Sequence, residues 1–282
     1  MKGMVIKMNI LCTLNRNYLK QLVIMLYSIE KSNPQTNFDV YIANSSLTGQ
    51  DFDEIKNALN KTRFKIIDVK VPDSLFEGAP VSKRYPKEMY YRIFAAQYLP
   101  KDLDRVLYLD PDIIVLNPLD QLYSLDFNGC YLAACTHIRQ NLTKINEIRL
   151  NMPKKCAYIN SGIILMNLEL LREQQDIKAV YQYIEKYEPF LLFPDQDVIN
   201  GLYAKKTLTV NSLYYNLSDK VLRLHNLRNL DYKINIDWVR RNTVIVHYCG
   251  RNKPWKESYN GKLGIFYYET ESELEAAHKI SV

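Results

Sequence analysis

The run VLYL, Val106 to Leu109, is apolar at consecutive positions, and IIVL, Ile113 to Leu116, repeats the pattern just beyond it. Successive side chains of a strand face opposite sides of its sheet, so such a run must bury both faces. It belongs in the interior of a sheet that helices cover on both sides. The rest of the chain supplies those helices. In NYLKQLVIMLYSIEKS, Leu19, Leu22, Val23, Leu26 and Tyr27 fall at helical spacing, and Asn33-Pro34 stops the pattern. MNILCTL precedes this helix as a short apolar run; FDVYIA, DFDEIKNALNK, RFKIIDVKV and KEMYYRIFAAQYLP follow as strand, helix, strand and helix. After VLYL come YLAACTH and YINSGIILMNL as strands, LREQQDIKAVYQYIEKY as one helix, PDQDVINGLYA as a helix opening and NTVIVHYCG as a last strand. The expected class is α/β, a mostly parallel sheet flanked by helices, with ligands at the carboxyl ends of its strands.

The chain's 282 residues allow one large domain or two small ones, and no linker, repeat or low-complexity tract divides them. A net charge of +6 suits an anionic ligand or an acidic membrane surface but is too diffuse for nucleic acid. The five cysteines are scattered, odd in number and without a CxxC pair, which reads as reduced thiols in a cytoplasmic protein. No apolar run approaches the roughly 18 residues of a membrane span. The N-terminal segment, interrupted by Lys7 and Asn9, lacks a signal peptide's cleavage region. Asn141 and Asn216 match the glycosylation sequon, which a cytoplasmic chain would not use. The nine glycines form no GxG and no P-loop, so a bound nucleotide would need a metal to hold its phosphates.

Between the two apolar runs stand Asp110, Pro111 and Asp112. Proline gives no N–H to a ladder, so regular pairing is expected to stop at Asp110. Residues i and i+2 of an extended segment face the same way with Cα atoms about 6.5 Å apart, so both carboxylates can reach one divalent ion. Water-facing aspartates in a polar turn are the plainer alternative. TVIVHYCGRNKPW repeats the architecture: an apolar strand, then His247, then Gly250, Lys253 and Trp255. Two carboxylate oxygens, one imidazole nitrogen and diphosphate oxygens make a mixed shell suited to Mn²⁺ or Mg²⁺.

These motifs resemble those of family 8 glycosyltransferases, retaining metal-dependent GT-A enzymes that use UDP-sugars, and in particular the bacterial lipopolysaccharide galactosyltransferase branch. The resemblance runs through MNILCTLNRNYLKQLVIMLYSI, YYRIFAAQYLP, YLDPDIIVLNPL, INSGIILMNL, PDQDVIN and HYCGRNKPW. It implies a Rossmann-like GT-A domain over residues 1–268 and leaves 269–282 as a charged tail. It further implies that Asp110, Asp112 and His247 hold Mn²⁺ (or Mg²⁺) on the UDP diphosphate, with Gly250 and Lys253 contacting the diphosphate. Thr13, Asn15, Asn17 and Tyr18 match uridine-holding positions, with Tyr18 stacking on uracil. The family often has an acid at the position of Asn15; an amide carbonyl can still accept from uracil N3–H. Arg16 is unusual in this loop. Arg92 matches an arginine near the donor sugar, and Asn160, Ser161 and Gly162 match the small residues of the sugar pocket. Asp195 would bind sugar hydroxyls and Gln196 would sit beneath the anomeric carbon, whereas a plain reading makes Asp195 a helix cap. His137 stands where some relatives carry an acid on the acceptor side.

The implied donors are UDP-glucose or UDP-galactose, and the implied acceptor is a saccharide or lipid-linked saccharide. Arg223 to Asn242, with Arg223, Arg228, Lys233, Arg240 and Arg241 among apolar residues, offers a basic, greasy face for peripheral contact with the inner face of the plasma membrane. A solvated loop is the alternative. Three rival functions stay open: a haloacid-dehalogenase-like phosphatase, a UDP-sugar-binding relative without turnover, and a self-glucosylating initiator.

Overall fold

The computed structural model describes residues 6–80, 87–136 and 140–278. Among these, a seven-stranded sheet is built from β1 (Ile6–Thr13), β2 (Thr36–Ala43), β3 (Phe64–Val69), β4 (Arg105–Leu109), β6 (Leu132–Thr136), β7 (Ile159–Asn167) and β8 (Thr207–Val210). Its order is β3-β2-β1-β4-β7-β6-β8, while β5 (Ile113–Val115) and β9 (Ile245–His247) pair in a small second sheet. The main sheet is mostly parallel, as expected; only β7 is reversed, lying antiparallel to both β4 and β6. That reversal brings the first residues of β7 to the edge where β4 ends. Leu109 lies opposite Ile163, and the Asp110 N–H donates to the Gly162 carbonyl at 2.8 Å.

The expected double burial of the central strands holds. Ile10, Cys12, Leu107 and Leu109 face one side, against the helices Leu19–Ser32 and Gly264–His278. Leu11, Val106 and Tyr108 face the other, against Lys87–Ile93, Ile177–Tyr187 and Pro194–Tyr203.

Several segments differ from their sequence reading. The single helix expected after β7 is two, Leu168–Gln174 and Ile177–Tyr187. Asp176 breaks it by accepting from the N–H groups of Lys178 and Ala179 and so starting a new helix. Phe94 similarly separates Lys87–Ile93 from Ala95–Tyr98. The stretch weighed as a solvated loop contains the helices Asp219–Arg228 and Ile236–Asn242. The charged C-terminal segment is helical to His278, with Thr270 and Leu274 buried and Lys20 paired to Glu271 at 3.0 Å. Among the described residues no helix is long and apolar enough to cross a membrane.

Candidate active site

Pro111 ends β4 as expected, and the chain resumes pairing at Ile113 with a different partner, β9. The turn between carries Asp110 and Asp112 to the carboxyl edge of the sheet. His247 closes β9 directly opposite Ile113. One ligand atom from each of Asp110, Asp112 and His247 lies within 4.8 Å of the other two. Asp112 and His247 are buried and Asp110 is partly so.

Asp112 is held from two sides. Its Oδ2 accepts from the Lys253 ammonium, which also donates to the Tyr248 carbonyl at 2.9 Å. Its Oδ1 is buried and takes no hydrogen bond from the described residues, although His247 Nε2 lies 3.2 Å away. Burial alone would raise the Asp112 pKa, but His247 and Lys253 outweigh it and keep the group below the usual carboxylate range. An anionic oxygen with no donor, facing an imidazole nitrogen and a second carboxylate, fits a divalent cation of the Mn²⁺ or Mg²⁺ kind.

Arg92 joins this cluster to the helix Pro194–Tyr203. Its guanidinium is 3.1 Å from Asp110 Oδ1 and 3.1 Å from Asp195 Oδ2, donates to the Ser161 carbonyl at 3.2 Å, and stacks 4.5 Å above the Tyr108 ring. Burial opposes the charge on Arg92, but Asp110, Tyr108 and Asp195 more than compensate and raise its pKa above the ordinary value. The Tyr108 hydroxyl donates to Asp110 at 2.6 Å and meets Thr13 Oγ1 at 2.9 Å, which ties the end of β1 to the acidic turn.

The start of β7 packs directly against the cluster. A Cβ on Gly162 would lie 2.4 Å from His247 Cε1 and 2.7 Å from Asp110 Oδ2, so only glycine lets the strand pass. Ser161 Oγ donates to Asp195 at 3.1 Å. Gln196 Oε1 accepts from Asn160 Nδ2 at 3.1 Å and from the Ser161 N–H at 3.2 Å.

The reading of Asp195 as a helix cap is not what the structure holds. Asp195 turns toward Arg92 and Ser161, and no side chain caps the helix at Phe193; the Asp197 carboxylate instead accepts from the N–H groups of Leu192 and Phe193, just ahead of the helix, at 2.6 and 2.9 Å. For Asn15, by contrast, the cap is present: its side chain accepts from the Asn17 N–H at 3.0 Å and opens the short helix Arg16–Tyr18. Arg16 has a structural explanation, pairing with buried Asp51 at 3.1 Å. Tyr18 meets Trp255 edge-on at a centroid distance of 6.2 Å, which brings the first loop and the HYCGRNKPW segment together. Gly250 adopts φ +96°, a conformation suited to glycine. Asn17 is exposed in the same loop as Asn15, and His137 lies outside the described residues.

Three residues of the site escape the sequence reading. Tyr158 donates to Asp197 at 2.6 Å and accepts from Gln196 Nε2 at 2.9 Å; burial first, then Asp197, push its phenol pKa up, so it stays a donor. Asn216, noted only as a sequon, is fully buried with its Oδ1 2.9 Å from His247 Nδ1. Asp197 itself carries no mark that distinguishes it from Asp195 two residues earlier.

A mostly parallel sheet with paired aspartates and a histidine at its carboxyl edge is the arrangement of a GT-A glycosyltransferase. The family model Glycosyl transferase family 8 matches residues 9–258, and the chain belongs to that family. It is 26% identical over 249 residues to the lipopolysaccharide 1,2-glucosyltransferase of Escherichia coli (strain K12), a match covering 88% of this chain and 72% of that one. It is also 26% identical over 261 residues to the lipopolysaccharide 1,3-galactosyltransferase of Salmonella typhimurium, covering 88% and 73%. Its fold matches the galactosyltransferase LgtC, solved with donor and acceptor sugar analogs, at a TM-score of 0.76 and 25% identity, covering 94% of this chain and 96% of that one. Family membership sets aside the dehalogenase-like phosphatase.

Proposed function

We propose that this chain is a retaining hexosyltransferase that moves glucose or galactose from a UDP-sugar to a saccharide or lipid-linked saccharide acceptor. In this reading residues 1–268 form the catalytic domain, and Asp110, Asp112 and His247 hold Mn²⁺ or Mg²⁺. The observation that carries it is the convergence of those three side chains within 4.8 Å, beside the Arg92 bridge to Asp195. When bound, the cation supplies positive charge for the departing diphosphate.

The chain's own residues divide the remaining work. Lys253 and Gly250 receive the diphosphate, one with a cation and the other with close backbone. Thr13, Asn15, Asn17 and Tyr18 hold the uridine; the capping oxygen of Asn15 keeps a second lone pair for uracil N3–H. Arg92 orients Asp195 toward the sugar hydroxyls, and Asn160, Ser161 and Gly162 let the sugar approach. Double displacement would require a carboxylate nucleophile. Asp195 is ion-paired to Arg92 and bonded to Ser161, Asp197 is fully buried under five hydrogen bonds, and Gln196 is an amide. That distribution favours front-face attack, in which the acceptor hydroxyl bonds to the anomeric carbon as the diphosphate leaves. The leaving phosphate oxygen takes the hydroxyl proton, and Gln196 stabilises the cationic sugar.

The deciding experiment is a thermal-shift panel of UDP-glucose and UDP-galactose with and without Mn²⁺, followed by transfer assays with the better donor. A cation-dependent rise in melting temperature and hexose transfer are expected; binding indifferent to Mn²⁺ would remove the proposal's basis. Gly162→Ala is expected to slow transfer about a hundredfold, because the methyl must displace His247 and Asp110 by something near an ångström. Steady-state kinetics checks this, and a rate near wild type would show that the cluster yields without cost.

Peripheral membrane contact is part of the same reading. Leu227, Leu230 and Tyr232 are exposed beside Arg228 and Lys233, which supports a surface for acidic lipid. Sedimentation with anionic liposomes should be strong at low salt and weak at high salt; no salt-sensitive binding would refute it. Phe190, Leu192 and Phe193 are likewise exposed just ahead of Asp195 and Gln196, an apolar rim that suits the acceptor.

A further inference from the structure

Six side chains are joined in one sense, from a buried carboxylate to the imidazole of His247. Asp197 is fully buried and its carboxylate only accepts, so Tyr158 donates to it at 2.6 Å. The Tyr158 oxygen then accepts from Gln196 Nε2 at 2.9 Å, which turns Gln196 Oε1 toward Asn160 Nδ2 at 3.1 Å. Asn160 Oδ1 accepts from Asn216 Nδ2 at 3.0 Å, and Asn216 Oδ1 therefore faces His247 Nδ1 at 2.9 Å. Two backbone groups reinforce this sense: the Ser161 N–H donates to Gln196 Oε1 at 3.2 Å and the Gly162 N–H to Asn160 Oδ1 at 3.3 Å. Reversing any amide would set donor against donor or acceptor against acceptor.

A carbonyl oxygen cannot donate, so the proton between Asn216 and His247 sits on Nδ1. When the ring is neutral, Nε2 is then its lone-pair nitrogen, and it is the one that lies 3.2 Å from Asp112 Oδ1. Only an unprotonated nitrogen ligates a cation. Asn216 is 0% exposed, so no substrate reaches it and any effect it has on transfer passes through its neighbours.

We infer that Asn216 is a positioning residue: oriented by Asn160 and Gln196, it holds His247 in the Nδ1–H tautomer and so presents Nε2 to the divalent cation. The inference rests on the proposed cation at Asp110, Asp112 and His247. It also couples the two halves of the site, because Gln196, placed beneath the donor sugar, belongs to the same chain of bonds as the metal-side histidine. Partners of this kind are typically worth about 10–100-fold in metal affinity.

The test uses the whole chain, with imidazole rings labelled with nitrogen-15. The chain has four histidines, few enough for the His247 ring to be assigned. Long-range proton–nitrogen correlation in alkaline, metal-free buffer reads the tautomer, and titration with Mn²⁺ in the presence of UDP, followed by the spin resonance of unbound Mn²⁺, reads affinity. The wild type is expected to show the Nδ1–H pattern. Asn216→Ala should move the ring toward Nε2–H and weaken Mn²⁺ about 10–100-fold. Asn216→Asp, which retains an acceptor at that position, should restore the Nδ1–H pattern. Should Asn216→Ala fail to fold, Asn160→Leu, which removes the anchor of the Asn216 amide, is read in the same way. An Nε2–H ring in the wild type, or an unchanged ring and Mn²⁺ affinity in Asn216→Ala, overturns the inference. A wild type that has the Nδ1–H ring but takes up no Mn²⁺ overturns the cation reading instead, and the ligand role of Nε2 with it.

Discussion

Asp112→Asn is expected to lose both transfer and stability, whereas Asp110→Asn should lose transfer alone. The two carboxylates belong to one turn and one cluster, so either change removes an anionic ligand of the proposed cation. With roughly 4 kcal/mol of transition-state stabilisation assigned to the cation site, each variant should be slower by about a thousandfold. Their surroundings differ, however. Asp110 faces Arg92 and the Tyr108 hydroxyl, and an asparagine oxygen can accept from both while Arg92 keeps Asp195 as its counter-charge. Asp112 is the buried counter-ion of Lys253, whose side chain is only 11% exposed and whose other acceptor is the uncharged Tyr248 carbonyl. Neutralising Asp112 strands that ammonium, and breaking a buried pair from one side costs about 3–5 kcal/mol. In a chain of this size each kcal/mol moves the melting temperature by roughly 2–4 °C. Calorimetry in metal-free buffer should therefore show Asp112→Asn melting well below Asp110→Asn. Identical melting temperatures would mean that the lysine pair contributes nothing to the fold.

The framework of this site is legible in the sequence because local chemistry enforces it. VLYL is apolar on both parities, so it must be a central strand; Pro111 cannot continue a ladder, so the turn falls at Asp110-Pro111-Asp112. His247 follows a run of the same kind, and β5 and β9 pair to place it beside the turn. The connections that hold the site together are not local. Tyr158 reaches Asp197 across 39 residues, Asn216 reaches Asn160 across 56 and His247 across 31. Pairings of isolated polar residues at such separations leave no period. Helix breaks at Phe94 and Asp176 are hidden for another reason: the apolar spacing continues through them while one phenylalanine or one capping aspartate restarts the backbone. β8, TLTV, is too short to show an alternation distinct from its surroundings. Asp195 and Asp197 share the first turn of one helix, and nothing in PDQD says which of them turns to the site and which is buried. The tertiary partners decide: Arg92 takes the first and Arg149 the second.

That division makes Asp197→Ala the substitution expected to damage the fold most. One carboxylate, 0% exposed, accepts from Arg149 at 2.7 and 2.8 Å, from Tyr158 at 2.6 Å, and from the Leu192 and Phe193 N–H groups at 2.6 and 2.9 Å. Alanine leaves the guanidinium without its anion and two backbone donors without an acceptor. The first loss costs about 3–5 kcal/mol and the buried Tyr158 hydroxyl about 1–3 kcal/mol more, while the N–H groups of exposed Leu192 and Phe193 can turn to water and add little. The chain then loses the bonds that tie Leu192 and Phe193 to the helix Pro194–Tyr203, whose first turn carries Asp195 and Gln196. Arg149→Met should cost less, since the tyrosine and the two backbone groups still satisfy the carboxylate. Asp197→Asn should fall between, because an amide oxygen accepts but its nitrogen faces the Arg149 fork as a fellow donor. Urea unfolding of the three variants checks the order, with Asp197→Ala lowest and an unchanged slope of free energy against urea. If Asp197→Ala unfolds at the wild-type midpoint, the carboxylate is not a structural hub. Its burial beside Gln196 would then have to be explained by chemistry at the sugar, reopening the nucleophile that its five hydrogen bonds now argue against.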